Sequence, residues 1–148
     1  MKVLLQRVLS AKVTINNQIH GSIDRGLLMF VGITHEDDES IIEKVANKVC
    51  GLRIFEDVNG KTNLSIDEVN GKVLSISQFT LYANCGKGKR PSFTSAARPE
   101  VANSLYEYFN SCLEANGYVV EKGVFGADMI VDIQSDGPFT IIIDSKEL

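Results

Sequence analysis

A chain of 148 residues with 44% apolar and 23% charged residues has the composition of an ordinary folded domain, which excludes a disordered, coiled-coil or collagen-like chain. At this length roughly 68–70% of the unfolded surface is buried on folding, so neither a disulfide nor a metal staple is required. Fifteen Lys and Arg against 19 Asp and Glu leave a net charge of −4, which on its face argues against a nucleic-acid partner, because phosphate contacts need positive charge.

In chain order, residues 2–15 alternate (Val3, Leu5, Arg7 and Leu9 on one phase, Leu4, Gln6 and Val8 on the other) and predict a long strand. Asn16-Asn17 predicts a tight turn, since Asn tolerates positive φ, with Ile19 to Ile23 returning as the hairpin partner. Gly26 breaks the pattern. The unbroken apolar run Leu27 to Ile33 then predicts a central strand covered on both faces. Asp37 and Asp38 predict a helix N-terminus, Ile41, Ile42, Val45, Val49 and Cys50 its apolar face, and Gly51 its cap. Short strands are expected at Leu52 to Phe55 and, past the turn Asp57 to Gly60, at Val73 to Leu81. A glycine- and lysine-containing loop spans Asn84 to Ser95. Pro99 opens a second helix with Val101, Leu105, Tyr108, Phe109 and Cys112 as its apolar face and Gly117 past its end. Tyr118 to Glu121, Met129 to Ile133 and Phe139 to Ile143 read as strands. The pattern is that of one α/β domain over residues 1–148, with helices covering a largely antiparallel sheet system.

Cys50, Cys85 and Cys112 are odd in number and none is spaced as CxxC, so a disulfide framework is not expected. His20 and His35 have no Cys or carboxylate at ligand spacing, and no metal or cofactor is expected. The N-terminus lacks the apolar core of a signal peptide, and no apolar run approaches the ~18 residues of a membrane span. A soluble, cytoplasmic protein with no membrane partner is expected.

Two segments break local rules, and such places are where function is expected. Ser77-Gln78-Phe79-Thr80-Leu81 puts three hydrogen-bonding side chains into a strand that otherwise reads as buried. Ser135-Asp136-Gly137-Pro138-Phe139-Thr140 interrupts a strand at Gly137-Pro138, which reads as an edge, a bulge or a turn, because Pro donates nothing to a ladder. A hairpin turn is the plain reading of this segment, and a cis Gly-Pro bond that aims two backbone carbonyls is the sharper one.

These two segments together resemble the D-aminoacyl-tRNA deacylase family. The likeness extends nearly end to end, through Gln6-Arg7-Val8, Arg53-Ile54-Phe55, Asn63-Leu64, Arg90-Pro91-Ser92-Phe93 and Phe125-Gly126-Ala127-Asp128-Met129, in family order and spacing. Two positions depart from the family pattern: Ser135 replaces the usual Asn before Asp-Gly-Pro, and Thr62 replaces the usual Met before Asn63.

The resemblance implies a barrel-like fold and hydrolysis of the ester that joins a D-amino acid to the 3′ end of tRNA, with glycyl-tRNA also accepted. It implies no metal requirement and a homodimer with its active site at the interface. Ser77, Gln78, Phe79 and Thr80 form the catalytic segment, and Gly137 and Pro138 enter from the partner subunit to reject L substrates by collision. Backbone N–H groups around Gln78 and Phe79 are expected to stabilise the oxyanion, with the ribose 2′-hydroxyl helping to activate water. Thr80 is expected to position the substrate rather than attack it, since a Thr nucleophile needs a base. Phe125, Ala127 and Met129 are expected to bind the substrate end. Phe79 and Phe125 are candidates for stacking on adenine; core is the favoured reading for Phe79, and Phe125 is read as either core or pocket lining. An editing deacylase for an L-aminoacyl-tRNA and a non-catalytic tRNA-binding module are the alternatives.

The charge divides unevenly along the chain. Residues 1–74 carry a net −1, residues 75–100 a net +3 and residues 101–148 a net −6. The one basic stretch follows the SQFTL segment and holds Lys87, Lys89, Arg90 and Arg98. The negative total therefore excludes a broad basic face but leaves one short loop to dock the tRNA, with Lys87, Lys89 and Arg90 as the contacts. Raising salt is expected to weaken tRNA binding, and Lys87→Ala with Lys89→Ala to lower the slope of log affinity against log salt by about 1–2, measured by filter binding.

Overall fold

The computed structural model describes residues 1–148. The elements run β1 (Lys2–Ile15), β2 (Gln18–Ile23), β3 (Gly26–Gly32), α1 (Glu39–Cys50), β4 (Phe55–Glu56), β5 (Thr62–Leu64), β6 (Lys72–Ser77), a 3₁₀ turn (Phe79–Tyr82), α2 (Pro99–Ala115), β7 (Val120–Lys122), β8 (Ile130–Asp144) and a last 3₁₀ turn (Ser145–Glu147). The main sheet is ordered β2-β1-β3-β6-β7, with β8 on the other side of β1. The pairings of β1 with β2, β3 and β8 are antiparallel, while β3-β6 and β6-β7 are parallel. β7 comes round against β2, so the sheet curls into a nearly closed barrel.

The hairpin turn forms as its residues predict, with Asn16 at φ 49° and Asn17 at φ 62°. β3 is the central strand. Leu27, Met29 and Val31 point into a core shared with Ile42, Val45 and Val49 of α1 and Leu105, Phe109 and Leu113 of α2. Leu28 points the other way, into the barrel interior with Val8, Val13, Leu74 and Ile76. Two cores on two faces explain why the run carries no polar residue.

Asp38 caps α1 by accepting the Ile41 N–H at 3.0 Å, whereas Asp37 instead accepts the Thr34 N–H at 2.7 Å. α2 begins at Pro99, and Gly117 follows its end at φ 93°.

Four expectations need correction. The apolar face of α2 is rotated by about one residue: Ala102, Leu105, Tyr106, Phe109 and Leu113 are buried, while Val101 is 50% exposed. Residues 52–54 are not strand, because the Ile54 carbonyl accepts from the Arg7 side chain rather than from a ladder. β6 stops at Ser77 instead of continuing to Leu81, because its partner β3 ends at Gly32 and the chain turns over. Finally, the C-terminal strand is not broken in two. β8 runs from Ile130 to Asp144 straight through Gly137-Pro138, whose peptide bond is cis.

The passage through Gly137-Pro138 is a bulge, not a hairpin turn. Gln6 pairs with Thr140 and Val8 with Ser135, so Arg7 stands opposite the whole Asp136-to-Phe139 segment. Arg7 fills this gap. It is 4% exposed, its Nη1 donates to the Ile54 carbonyl at 2.8 Å and its Nε lies 3.0 Å from Asp136 Oδ2. Its guanidinium also covers the Phe139 ring, 5.1 Å from the centroid. Gly137 has φ +121°, and a Cβ there would stand 3.0 Å from the Phe139 nitrogen and 3.3 Å from Arg7 Nη2. Arg7→Met is expected to cost about 2–4 kcal/mol, since it strands the Asp136 carboxylate and the Ile54 carbonyl. Urea unfolding checks this as a lower midpoint at unchanged slope.

Candidate active site

The largest cleft opens where β3 and β6 end. Its volume is about 600 Å³ and its lining is mainly apolar. Gly32 makes the geometry possible: a side chain there would press on the Gln78 carbonyl and the Leu81 Cβ, each at 3.1 Å. The chain therefore turns tightly after Ser77, and the Phe79–Tyr82 turn seats against the end of β3. Ser77, Gln78 and Phe79 form one wall of the cleft, and Phe125 to Met129, which leads into β8, forms another.

The turn decides which backbone donors remain. The Gln78 N–H is spent on the Val31 carbonyl at 2.8 Å, so it is not open to a ligand. The N–H groups of Phe79 and Thr80 make no hydrogen bond within the chain. Of the expected donors around Gln78 and Phe79, the one at Gln78 is thus engaged, because β3 still pairs there. The Gln78 side chain bends back, and its Nε2 donates to Thr80 Oγ1. Thr80 is exposed at the lip rather than within the lining. On the reverse of the turn, Tyr82 sits beneath Lys2, whose Nζ is 5.3 Å from the ring centroid. Burial, reinforced by Asp37 and Asp144, pushes its phenol up out of the physiological range.

Phe79 is not a core residue. It is 54% exposed and meets Phe93 edge to face, with centroids 5.0 Å apart and rings at 75°. Phe125, Ala127 and Met129 all line the cleft. Lys87, Lys89 and Arg90 do not. They lie on an exposed loop closed at its base by reciprocal backbone bonds between Asn84 and Ser92, and this loop leaves from the 3₁₀ turn and returns at Phe93. Gly137 and Pro138 are exposed and do not line this chain's own cleft. Neither histidine lines it, and His35 Nε2 bonds the Thr94 carbonyl at 3.0 Å. No cluster of His, Cys, Asp or Glu is arranged to hold a metal.

A family model described as D-Tyr-tRNA(Tyr) deacylase matches residues 4–144. The chain belongs to this family. A D-aminoacyl-tRNA deacylase from Exiguobacterium sp. is 53% identical over 146 residues, which is 99% of this chain and 99% of that one. A solved structure of c-Myc DNA Unwinding Element Binding Protein superposes with a TM-score of 0.91 at 37% identity, over 97% of this chain and 98% of its own. Another, described as a probable eukaryotic D-amino acid tRNA deacylase, has a TM-score of 0.83 at 17% identity over 96% and 97%, and is similar in fold.

Within this deacylase-family cleft, several lining residues carried no sequence signal of function. Val31 and Ile33 extend from the central strand and look like ordinary core. Ala96, Ala97 and Ala102 contribute by being small, which leaves the floor open. Asp128 is the one charged residue in the lining. Phe93 stood inside the Arg90-Pro91-Ser92-Phe93 signature, but only the fold brings it against Phe79.

Proposed function

We propose that this protein hydrolyses the ester between a D-amino acid and the terminal ribose of tRNA, releasing the free D-amino acid and the tRNA. The observation that carries this reading is the meeting of Ser77-Gln78-Phe79 with Phe125-to-Met129 around one cleft, in a chain of the D-Tyr-tRNA(Tyr) deacylase family. The apolar lining suits the terminal adenosine, with Phe79 and Phe93 offering ring surfaces to the unpaired base. The exposed loop with Lys87, Lys89 and Arg90 lies at the base of the same wall, where it meets the phosphates of the acceptor end.

Water attacks the ester carbonyl, and the negative charge that develops on its oxygen faces the free N–H groups of Phe79 and Thr80. As the carbon–oxygen bond breaks, the ribose 3′-oxygen takes a proton and leaves. The adjacent 2′-hydroxyl helps to activate the water. Thr80 lacks any base at hydrogen-bonding distance and is held by the Gln78 amide, which favours a positioning role over attack.

Chirality is tested by a second copy of the chain. Gly137 and Pro138 stand exposed on β8, an edge strand that also exposes Ile130, Ile133 and Ile142. Pairing two copies through this strand covers those side chains and delivers each Gly137-Pro138 to the other's cleft. An L side chain then collides with the rigid segment, whereas a D side chain points away and glycine has nothing to collide. A tRNA substrate suits a cytoplasmic protein. No helix is long and apolar enough to cross a membrane.

Purified protein is expected to release the D-amino acid from D-tyrosyl-tRNA and to leave L-tyrosyl-tRNA intact, measured with labelled amino acid. Hydrolysis of the L ester alone would instead indicate an L-specific editing enzyme, and hydrolysis of neither a binding module. Thr80→Ala is expected to slow single-turnover hydrolysis about ten-fold, the scale of one hydrogen bond, without abolishing it. Complete loss in a folded protein would overturn the positioning role.

A further inference from the structure

Behind the cleft lies a polar group that the chemistry above does not use. Ser75, Tyr106 and Asn110 are 0%, 1% and 0% exposed, in the middle of an apolar core. Tyr106 and Asn110 share the sheet-facing side of α2, one turn apart. The Tyr106 hydroxyl donates to the Ser75 carbonyl at 2.8 Å. The same carbonyl accepts the Gly123 N–H at 3.0 Å. Asn110 lies beside the phenol in the same buried group, and it bears on the hydroxyl's acidity together with the Ser75 carbonyl.

The Ser75 carbonyl is a junction between the two walls of the cleft. It lies two residues before Ser77, and through Gly123 it ties β6 to the segment that carries Phe125, Ala127 and Met129. The Tyr106 ring meets Phe125, with centroids 6.4 Å apart and rings tilted by 45°. One side chain of α2 therefore touches both walls, its hydroxyl on the strand that leads into Ser77-Gln78-Phe79 and its ring on Phe125.

We propose that Tyr106 is a positioning residue for the hydrolysis: its hydroxyl sets the spacing of the two walls, so that the Phe79 and Thr80 N–H groups meet the ester carbonyl of a substrate seated against Phe125. This role rests on the deacylase reading above. Displacements of about 1 Å at the reacting atoms are enough to cost catalysis, so a tie outside the lining can matter. Burial pushes the phenol up, outweighing its contacts with Ser75 and Asn110, so the proton stays in place and the donation to Ser75 persists at the pH of the assay.

Tyr106→Phe removes the hydroxyl and keeps the ring. On D-tyrosyl-tRNA, kcat per folded enzyme is expected to fall about five- to ten-fold while KM stays within about two-fold, equally from about pH 6 to pH 8. A purely structural role would lower the folded fraction and leave kcat per folded molecule unchanged. An unchanged kcat, or a loss confined to KM, overturns the proposal. Where Tyr106→Phe does not fold, Asn110→Leu is the test, since it removes the amide beside the hydroxyl and keeps the ring. It is expected to lower kcat about two- to three-fold at constant KM, and an unchanged kcat overturns the proposal. A wild-type protein inactive on the D ester overturns the deacylase reading and this proposal together, whereas an active wild type with an equally active Tyr106→Phe overturns this proposal alone.

Discussion

The architecture turns on one buried guanidinium. β1 serves two cores in succession: Val3 and Leu5 face the helices, while Val8, Ala11 and Val13 face the barrel interior. Arg7 stands at the changeover, opposite the bulged part of β8. A buried cation is tolerated only when it is paired and hydrogen-bonded. Arg7 meets that condition through the Ile54 carbonyl, the Asp136 carboxylate and the Phe139 ring face. Three distant stretches of chain are thereby tied to one side chain. Gly137 and Pro138 are held in the open as a consequence, because the residues on either side of them are engaged by Arg7.

The cleft arises from a mismatch in strand length. β3 ends at Gly32, and β6 has nothing to pair with once Gln78 has bonded Val31. A chain that loses its partner strand must satisfy its backbone some other way, and the short 3₁₀ turn does so only in part. The two N–H groups left over belong to the residues whose side chains mark the lip. Small residues of the 96–102 stretch keep the opposite side open. A polar rim over an apolar floor follows without any charged group other than Asp128 in the lining.

Charge and exposure complete the picture of what the surface is for. The basic residues of the 87–90 loop are separated from an otherwise acidic chain, and the loop is anchored at both ends to elements of the cleft wall. The exposed isoleucines of β8 sit on an edge strand, where soluble proteins seldom leave apolar side chains uncovered. Both features suit the proposed use of the cleft by two copies of the chain on one end of a tRNA.

Local signals were legible where local physics decides them. The Asn16-Asn17 turn, the Asp38 cap, the Pro99 helix start and the doubly buried Leu27-to-Val31 run all follow from the conformational preferences or burial of the residues themselves. Of the two rule-breaking segments, Ser77-Gln78-Phe79 lines the cleft, while Gly137-Pro138 stands exposed on the bulge of β8; polar residues in a buried strand and a proline within a strand both need an outside reason. What the sequence could not show was direction. Whether Val101 or Ala102 faces the core, whether Phe79 is inside or on the lip, and whether Gln78 or Phe79 keeps its N–H free each depend on where a neighbouring strand stops. The sequence by itself thus singled out Ser77, Gln78, Phe79, Phe125, Ala127 and Met129, which line one cleft, and was silent on Val31, Ile33 and the alanines beside them. The tertiary structure decided which of their atoms remain open to a substrate, because a hydrogen bond from Gln78 to Val31 is a contact between strands far apart in the chain.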